Sequence, residues 1–137
     1  MRVDKFTLKS QEALETAQNM ASQRGNPQVE PEHLFVSLFS DDQGICVEII
    51  KKLGEDVDRL RNEGLQLVER LPKQSGATVD RYYSNQLRAV LEAAFKEMEQ
   101  LKDEYVSVEH LFLVMSEASG TAVARLLKSK GITKDLI

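Results

Sequence analysis

Apolar residues recur along this chain at three- and four-residue steps, which is the spacing of amphipathic helices. They form one stripe between Ser84 and Leu101, with Ser84 as the predicted N-cap. An earlier segment repeats the pattern from its N-cap Thr7 to about Arg24, before Gly25. No segment shows the alternation of a half-buried strand. The pattern therefore predicts an all-α protein.

Three further helices are predicted in the first half of the chain. One begins at Pro31, where proline suits the first helical turn. The next lies between Gly44 and Gly54, and a longer one runs from about Asp56 until Pro72 stops it. Together with the first helix they make a four-helix unit.

The second half of the chain repeats the first. The segment Val29–Phe35 recurs as Val106–Phe112, at an offset of 77 residues. Ser107 is the predicted cap of the matching second helix, and Gly120 and Gly131 frame the third. The repetition predicts about eight helices in two homologous four-helix repeats, packed on each other about a pseudo-twofold axis.

The same comparison sets the expected boundaries. Repeat 1 covers about 6–71, a polar linker with Pro and Gly covers about 72–82, and repeat 2 covers about 83–137. Repeat 2 is expected to be truncated in its last helix. We expect one globular domain, because 137 residues with 42% hydrophobic content suit a single core.

Composition narrows the function classes. The net charge is -4 and the basic residues are scattered, which argues against nucleic acid as a partner. No apolar stretch approaches the ~18 residues of a membrane span, and we expect no signal sequence, since Met1–Lys5 leads into a polar helix without an apolar core. Cys46 is the single cysteine and is predicted to be a buried core residue. We expect a cytoplasmic protein that is monomeric as an isolated domain.

The duplicated pairs Glu32-His33 and Glu109-His110 are the first candidates for a metal site. Adjacent side chains on a helix point in different directions, whereas zinc proteases place two histidines one turn apart. We therefore expect no metal here. The structural interpretation is that each Glu favours the positive helix end and each His bonds to the preceding loop.

Enzymatic activity has little support in the sequence. Asp103 and Glu109 are a conceivable acid/base pair, but no nucleophile or substrate site accompanies them. None of the seven glycines forms a nucleotide-binding loop, so neither catalysis nor a cofactor is expected within this chain. Apolar surface remains, with Phe95 and Val108 predicted to be partly covered.

Several motifs together resemble the Clp repeat N-terminal domain. They are the duplicated Glu-His-Leu-Phe segments, Asp4–Thr7 before the first helix, Gly44 and Gly54 around the third, and Arg70–Pro72 at the end of the first half. The resemblance covers essentially the whole chain. Within the family, the Arg-Leu-Pro ending and the long fourth helix look more like a ClpB/Hsp104-type protein disaggregase than a ClpA or ClpC member.

The resemblance implies a larger parent. This would be a cytoplasmic homohexameric AAA+ chaperone that uses ATP and magnesium, contains a coiled-coil middle domain and cooperates with a DnaK-type chaperone. For the fragment it implies recruitment of unfolded or aggregated polypeptide in a shallow groove between the repeats. The alternative is an adaptor-docking domain of a ClpA/ClpC-type protease unfoldase.

The resemblance also implies five groove residues. Thr7, Asp103 and Glu109 match the polar positions of the family's groove, and Leu91 and Ala93 match apolar ones. Ala93 is smaller than the side chain expected there. Weak, broad recognition of polypeptide is what such a groove would provide, since apolar burial has no directional preference.

Overall fold

The computed structural model of the protein describes residues 3–73 and 82–136. In that part of the chain seven α-helices are present, named in chain order. They are α1 (Leu8–Gln23), α2 (Pro31–Leu38), α3 (Ile45–Lys52), α4 (Val57–Glu69), α5 (Asn85–Gln100), α6 (Val108–Met115) and α7 (Ala122–Ser129). Short 3-10 turns occupy Val3–Lys5 and Lys134–Leu136. The all-α prediction is confirmed, with a turn at Lys134–Leu136 where the eighth helix was expected to begin.

Most of the predicted linker at about 72–82 lies outside the described residues. The boundaries of the two repeats, about 6–71 and about 83–137, therefore remain predictions.

Side-chain caps fix the helix starts as the sequence predicts. The hydroxyl oxygen of Thr7 accepts a bond from the Ser10 amide at 3.1 Å, and that of Ser84 does so from Leu87 at 3.1 Å. One expected start is wrong by a residue. Gly120 only turns the chain, with φ of 84°, and Thr121 caps α7.

The core is built around α2, in which every residue is buried. This helix packs against α1 and α4 of its own repeat and against α5, α6 and α7 of the other. A chain of three edge-to-face rings runs across the two repeats. The Phe39 centroid lies 5.1 Å from that of Phe35 and 5.5 Å from that of Phe112 on α6. The two repeats therefore share one core.

The apolar stripe of α5 is confirmed except at its end. Five of its six positions are buried, namely Leu87, Val90, Leu91, Ala94 and Met98. Leu101 is exposed, because it is the C-cap of α5 and the next residue, Lys102, leaves the helix at φ of 58°. Cys46 is buried as predicted, and Phe95 and Val108 are partly buried.

Two very short strands, which the sequence did not predict, join the repeats reciprocally. β1 (Gln28–Val29) pairs in parallel with β2 (Tyr82–Tyr83), so that Val29 of repeat 1 faces Tyr83 of repeat 2. In the matching place, Phe6 of repeat 1 forms a parallel bridge with Val106 of repeat 2.

The hydrogen bonds of this exchange follow the 77-residue offset. The Thr7 amide donates to the Val106 carbonyl at 3.0 Å, and the Ser84 amide donates to the Val29 carbonyl at 3.0 Å. The leading segment of each repeat is thus completed by the other repeat.

Candidate functional site

Both histidines hold a helix start against the preceding turn. The His33 Nδ1 accepts from the Glu30 amide at 2.9 Å, and its Nε2 lies 2.8 Å from the Asn26 side-chain oxygen. Because Nδ1 is an acceptor, the proton of the neutral ring is on Nε2. The structural interpretation of this histidine is confirmed.

His110 repeats the arrangement in the second half. Its Nδ1 accepts from the Ser107 amide at 2.8 Å, and its Nε2 lies 2.9 Å from Asp103 Oδ2. Asp103 is the counterpart of Asn26 at the 77-residue offset. Among residues 3–73 and 82–136, no group of three or more His, Cys, Asp or Glu side chains is placed to hold a metal ion. No helix in the same ranges is both long and apolar enough to cross a membrane.

We expect the His33 ring to titrate near pH 4. Burial and, to a smaller extent, the positive charge of Arg24 together lower the pKa of His33 from 6.5 to about 4. The unfolded chain binds this proton near pH 6.5, so between the two values it holds more protons than the folded chain. The stabilisation from neutral His33 is complete above pH 6.5 and decreases as the pH falls towards 4.

An NMR titration of the His33 Cε1 proton measures this midpoint directly. Urea unfolding at several pH values measures how the free energy of unfolding changes with pH. The change that His33 causes between pH 6.5 and 4 should be absent from the His33→Gln variant. A midpoint near 6.5 would contradict the burial argument.

The candidate binding site is a groove where α1 and the start of α6 meet the α2–α3 loop. It encloses about 650 Å³ and is called here the α1/α6 groove. Repeat 1 supplies most of it, and repeat 2 supplies Ser107, Val108 and Glu109. From repeat 1 come Thr7, Lys9, Glu12, Ala13, Thr16, Ser37, Leu38, Ser40, Asp41, Gln43, Gly44, Ile45 and Cys46.

The lining combines apolar surface with one unpaired acid. Ile45 is 41% exposed and Val108 is partly buried. Lys9 lies 3.8 Å from Glu12 and 3.9 Å from Asp41, so both carboxylates share one cationic partner and the three groups together keep one negative charge. Glu109 is exposed and forms no ion pair within the described residues. The groove therefore offers a free carboxylate beside apolar side chains.

Cys46 lies in the wall of the groove as a neutral thiol. Burial raises its pKa to about 12, and the Glu109 carboxylate contributes in the same direction. A thiol with this pKa is not a nucleophile at neutral pH.

The structure brings two of the five predicted site residues together. Thr7 and Glu109 both line the α1/α6 groove, although the Thr7 hydroxyl also caps α1. Asp103 does not line it; this side chain is partly exposed and accepts from His110. The hypothetical acid/base pair of Asp103 and Glu109 therefore does not meet in this groove.

The two apolar candidates on α5 lie elsewhere. Leu91 is 1% exposed and belongs to the core, so it does not face any groove. Ala93 follows by two positions, which turns it by roughly 200° to the opposite face of the helix. There it lines a smaller groove of about 330 Å³ with Ala89 and Val114.

The equivalent acids Glu32 and Glu109 have different surroundings. Glu32 is only 9% exposed and burial raises its pKa. Among the described residues, none is a hydrogen-bond partner of its Oε1. Glu109 is open to solvent. Identical motifs thus give one buried carboxyl group and one available to a ligand. The sequence analysis did not predict that residues in the range 40–45 line the groove. The apolar Ile45, which directly follows Gly44, could have indicated this surface.

Comparisons with known proteins match one family over most of the chain. The model of the Clp repeat (R) N-terminal domain family matches residues 5–130. The chaperone protein ClpB of Corynebacterium diphtheriae is 37% identical over 132 residues, which are 96% of this chain and 15% of that protein. The chain thus spans about a sixth of the length of the curated relatives that it matches.

Solved structures share the fold. The Hsp104 N-terminal domain from Candida albicans superposes with a TM-score of 0.85 at 22% identity, covering 96% of this chain and 85% of that one. A complex of the ClpV N-domain with a VipB peptide gives a TM-score of 0.77 at 19% identity, with coverage of 97% and 82%.

Proposed function

Because the chain belongs to the Clp repeat (R) N-terminal domain family, we propose that it recruits substrate for a protein-disaggregating chaperone of the ClpB/Hsp104 type. In this proposal it binds unfolded or aggregated polypeptide in the α1/α6 groove. The observation that carries the proposal is the groove itself, with Ile45 and Val108 presented beside the Glu109 carboxylate, which has no ion-pair partner in the described part of the chain.

The groove chemistry suits weak binding to many sequences. Apolar side chains of a substrate would cover Ile45 and Val108, and this contribution does not depend on a defined sequence. Glu109 would attract cationic groups or accept backbone N–H bonds, which adds orientation more than affinity. We retain Thr7 and Glu109 as proposed contact residues.

The parent protein is also part of the proposal. We infer a cytoplasmic homohexameric ATPase that requires magnesium and acts with a DnaK-type partner, as the resemblance to ClpB implies. ATP binding and hydrolysis would belong to the parent outside this chain.

The test is an NMR titration of the chain with a permanently unfolded soluble protein. We expect shifts concentrated on the groove, and we expect Ile45→Ser to weaken binding by about tenfold through lost apolar burial. Leu101→Ser is the matched control, because Leu101 is exposed but does not line the groove. It should leave the affinity unchanged.

A charge variant tests the polar contribution. Glu109→Gln should weaken binding by only about two- to fivefold, as expected for an exposed charge, and less at high salt. Glu104→Gln is the control on a neighbouring exposed acid. Unchanged spectra at millimolar concentrations of unfolded chain would rule out the recruitment proposal.

A second candidate is docking of one defined partner segment. The ClpV N-domain has the same fold and is known in complex with a VipB peptide, which favours this alternative. It corresponds to the adaptor-docking domain of a ClpA/ClpC-type unfoldase. Pull-down by a folded adaptor, with no response to unfolded chain, would support it over the first proposal.

A further inference from the structure

The α1/α6 groove has one irregular wall. Residues 40–44, called here the wall loop, join α2 to α3 and supply four of the groove-lining residues. Within the loop, the Gly44 amide donates to the Asp41 carbonyl and the Gln43 amide to Asp41 Oδ1, both at 3.0 Å. These local bonds shape the turn, while the Ser40 amide and hydroxyl donate to the Ser37 carbonyl of α2 at 3.2 and 2.7 Å and Lys9 on α1 lies 3.9 Å from Asp41.

Arg61 on α4 also attaches the loop to the rest of the fold. Its Nε and Nη2 donate to the Phe39 carbonyl at 2.9 and 2.6 Å, and Nη2 also lies 3.0 Å from Asp42 Oδ1. Phe39 is the C-cap of α2, so its carbonyl is one that the helix leaves without a partner. Arg61 thus contacts the chain immediately before the loop and a side chain within it.

The surroundings of Arg61 make these bonds effective. Its Nη1 lies 3.2 Å from Asp58 Oδ1, which orients the guanidinium group from one turn earlier on α4. The Arg61 side chain is 24% exposed, which shields its bonds to the Phe39 carbonyl from water, whereas Asp42 and Asp58 are 86% and 88% exposed and their ion pairs with it are screened. Bonds from a charged planar donor are stronger than neutral ones and more demanding in geometry.

Asp42 is the loop residue that does not line the groove. Its neighbours Asp41 and Gln43 do, so the loop presents Asp42 to Arg61 and the flanking residues to the ligand. A shift of Asp42 therefore moves the wall, although Arg61 itself does not line the groove.

We propose that Arg61 is a positioning residue that holds the wall loop in the shape that binds polypeptide. This inference rests on the proposed recruitment function. Without the guanidinium group, the loop would sample more conformations, and binding would have to order it again.

The experiment compares Arg61→Gln with Arg59→Gln. Arg59 lies on the same helix, is largely exposed, and pairs only loosely with Glu63 at 3.9 Å. Amide hydrogen exchange of Gln43 and Gly44 in the free chain should accelerate about tenfold in Arg61→Gln. The affinity for unfolded chain should fall about three- to tenfold, with exchange in α1 and α6 preserved. Arg59→Gln should change neither quantity by more than about twofold.

If Arg61→Gln unfolds the domain, Arg61→Lys is the second variant. It keeps the positive charge beside Asp58 but lacks the planar fork, so the wall-loop amides should still exchange faster and binding should still weaken. Unchanged exchange at Gln43 and Gly44 overturns the proposal, and so does a loosened loop with wild-type affinity. A wild-type chain that binds nothing would instead count against recruitment, while the exchange data would still decide whether Arg61 holds the loop.

Discussion

Replacing Phe39 with alanine is expected to lower the free energy of unfolding by about 3–5 kcal/mol, the usual loss for a buried aromatic ring. Phe39 is fully buried, and its ring contacts Phe35 within repeat 1 and Phe112 in repeat 2. The cavity would open where the repeats meet, and the surrounding helices cannot all move in to fill it. Urea unfolding followed by circular dichroism measures the loss.

Leu8→Ala is the control for this prediction, because Leu8 is exposed and alanine suits a helix. Its effect should stay within about 0.5 kcal/mol. A double-mutant cycle of Phe39→Ala with Phe112→Ala should give a coupling of about 0.5–1.5 kcal/mol. A loss below about 1 kcal/mol for Phe39→Ala alone would mean that the two repeats do not depend on this shared ring.

The second large effect is expected at Gly64. A Cβ added there would lie 2.9 Å from two ring carbons of Phe35 and 3.2 Å from Val36 Cγ2. Because α4 rests directly on α2 at this position, a side chain would push the helices apart or displace a buried ring. Gly64→Val should therefore destabilise the fold by about 3 kcal/mol, the upper part of the range for overpacking.

Asn62→Val separates this steric effect from helix propensity. Asn62 is exposed on the same helix, so the change should cost no more than about 0.5 kcal/mol. Thermal or urea unfolding of both variants gives the comparison. Equal stabilities for the two would show that α4 does not require glycine against Phe35.

The helices were predictable because their signals are local. Thr7, Ser84 and Ser107 each supply a hydroxyl oxygen to an amide three residues later. Glycines with positive φ follow the ends of α1, α3 and α7. The exchanged strands β1 and β2 were not predictable, because two residues are too few for an alternating pattern. Their pairing depends on how the two repeats pack against each other, and a local sequence pattern does not indicate that packing.

The site was predictable only in part, for a similar reason. Helical spacing identifies the buried face of α5, and it places Leu91 there instead of in a groove. The sequence shows Glu32 and Glu109 in equivalent motifs, but only the three-dimensional packing shows that the first is buried and the second is open. The contact of Arg61 with Phe39 joins residues 22 positions apart, and no periodicity indicates it.

The reciprocal strand pairing has a consequence for the origin and folding of the domain. The leading segment of each half pairs with the other half, through Phe6 with Val106 and Tyr83 with Val29. An intertwined homodimer would have the same topology if its two subunits were joined in one chain. Neither half carries a complete set of its own backbone partners, since Thr7 bonds to Val106 and Ser84 to Val29. The halves repeat each other in sequence, but each depends on the other for its backbone partners, so the molecule should unfold as one cooperative unit.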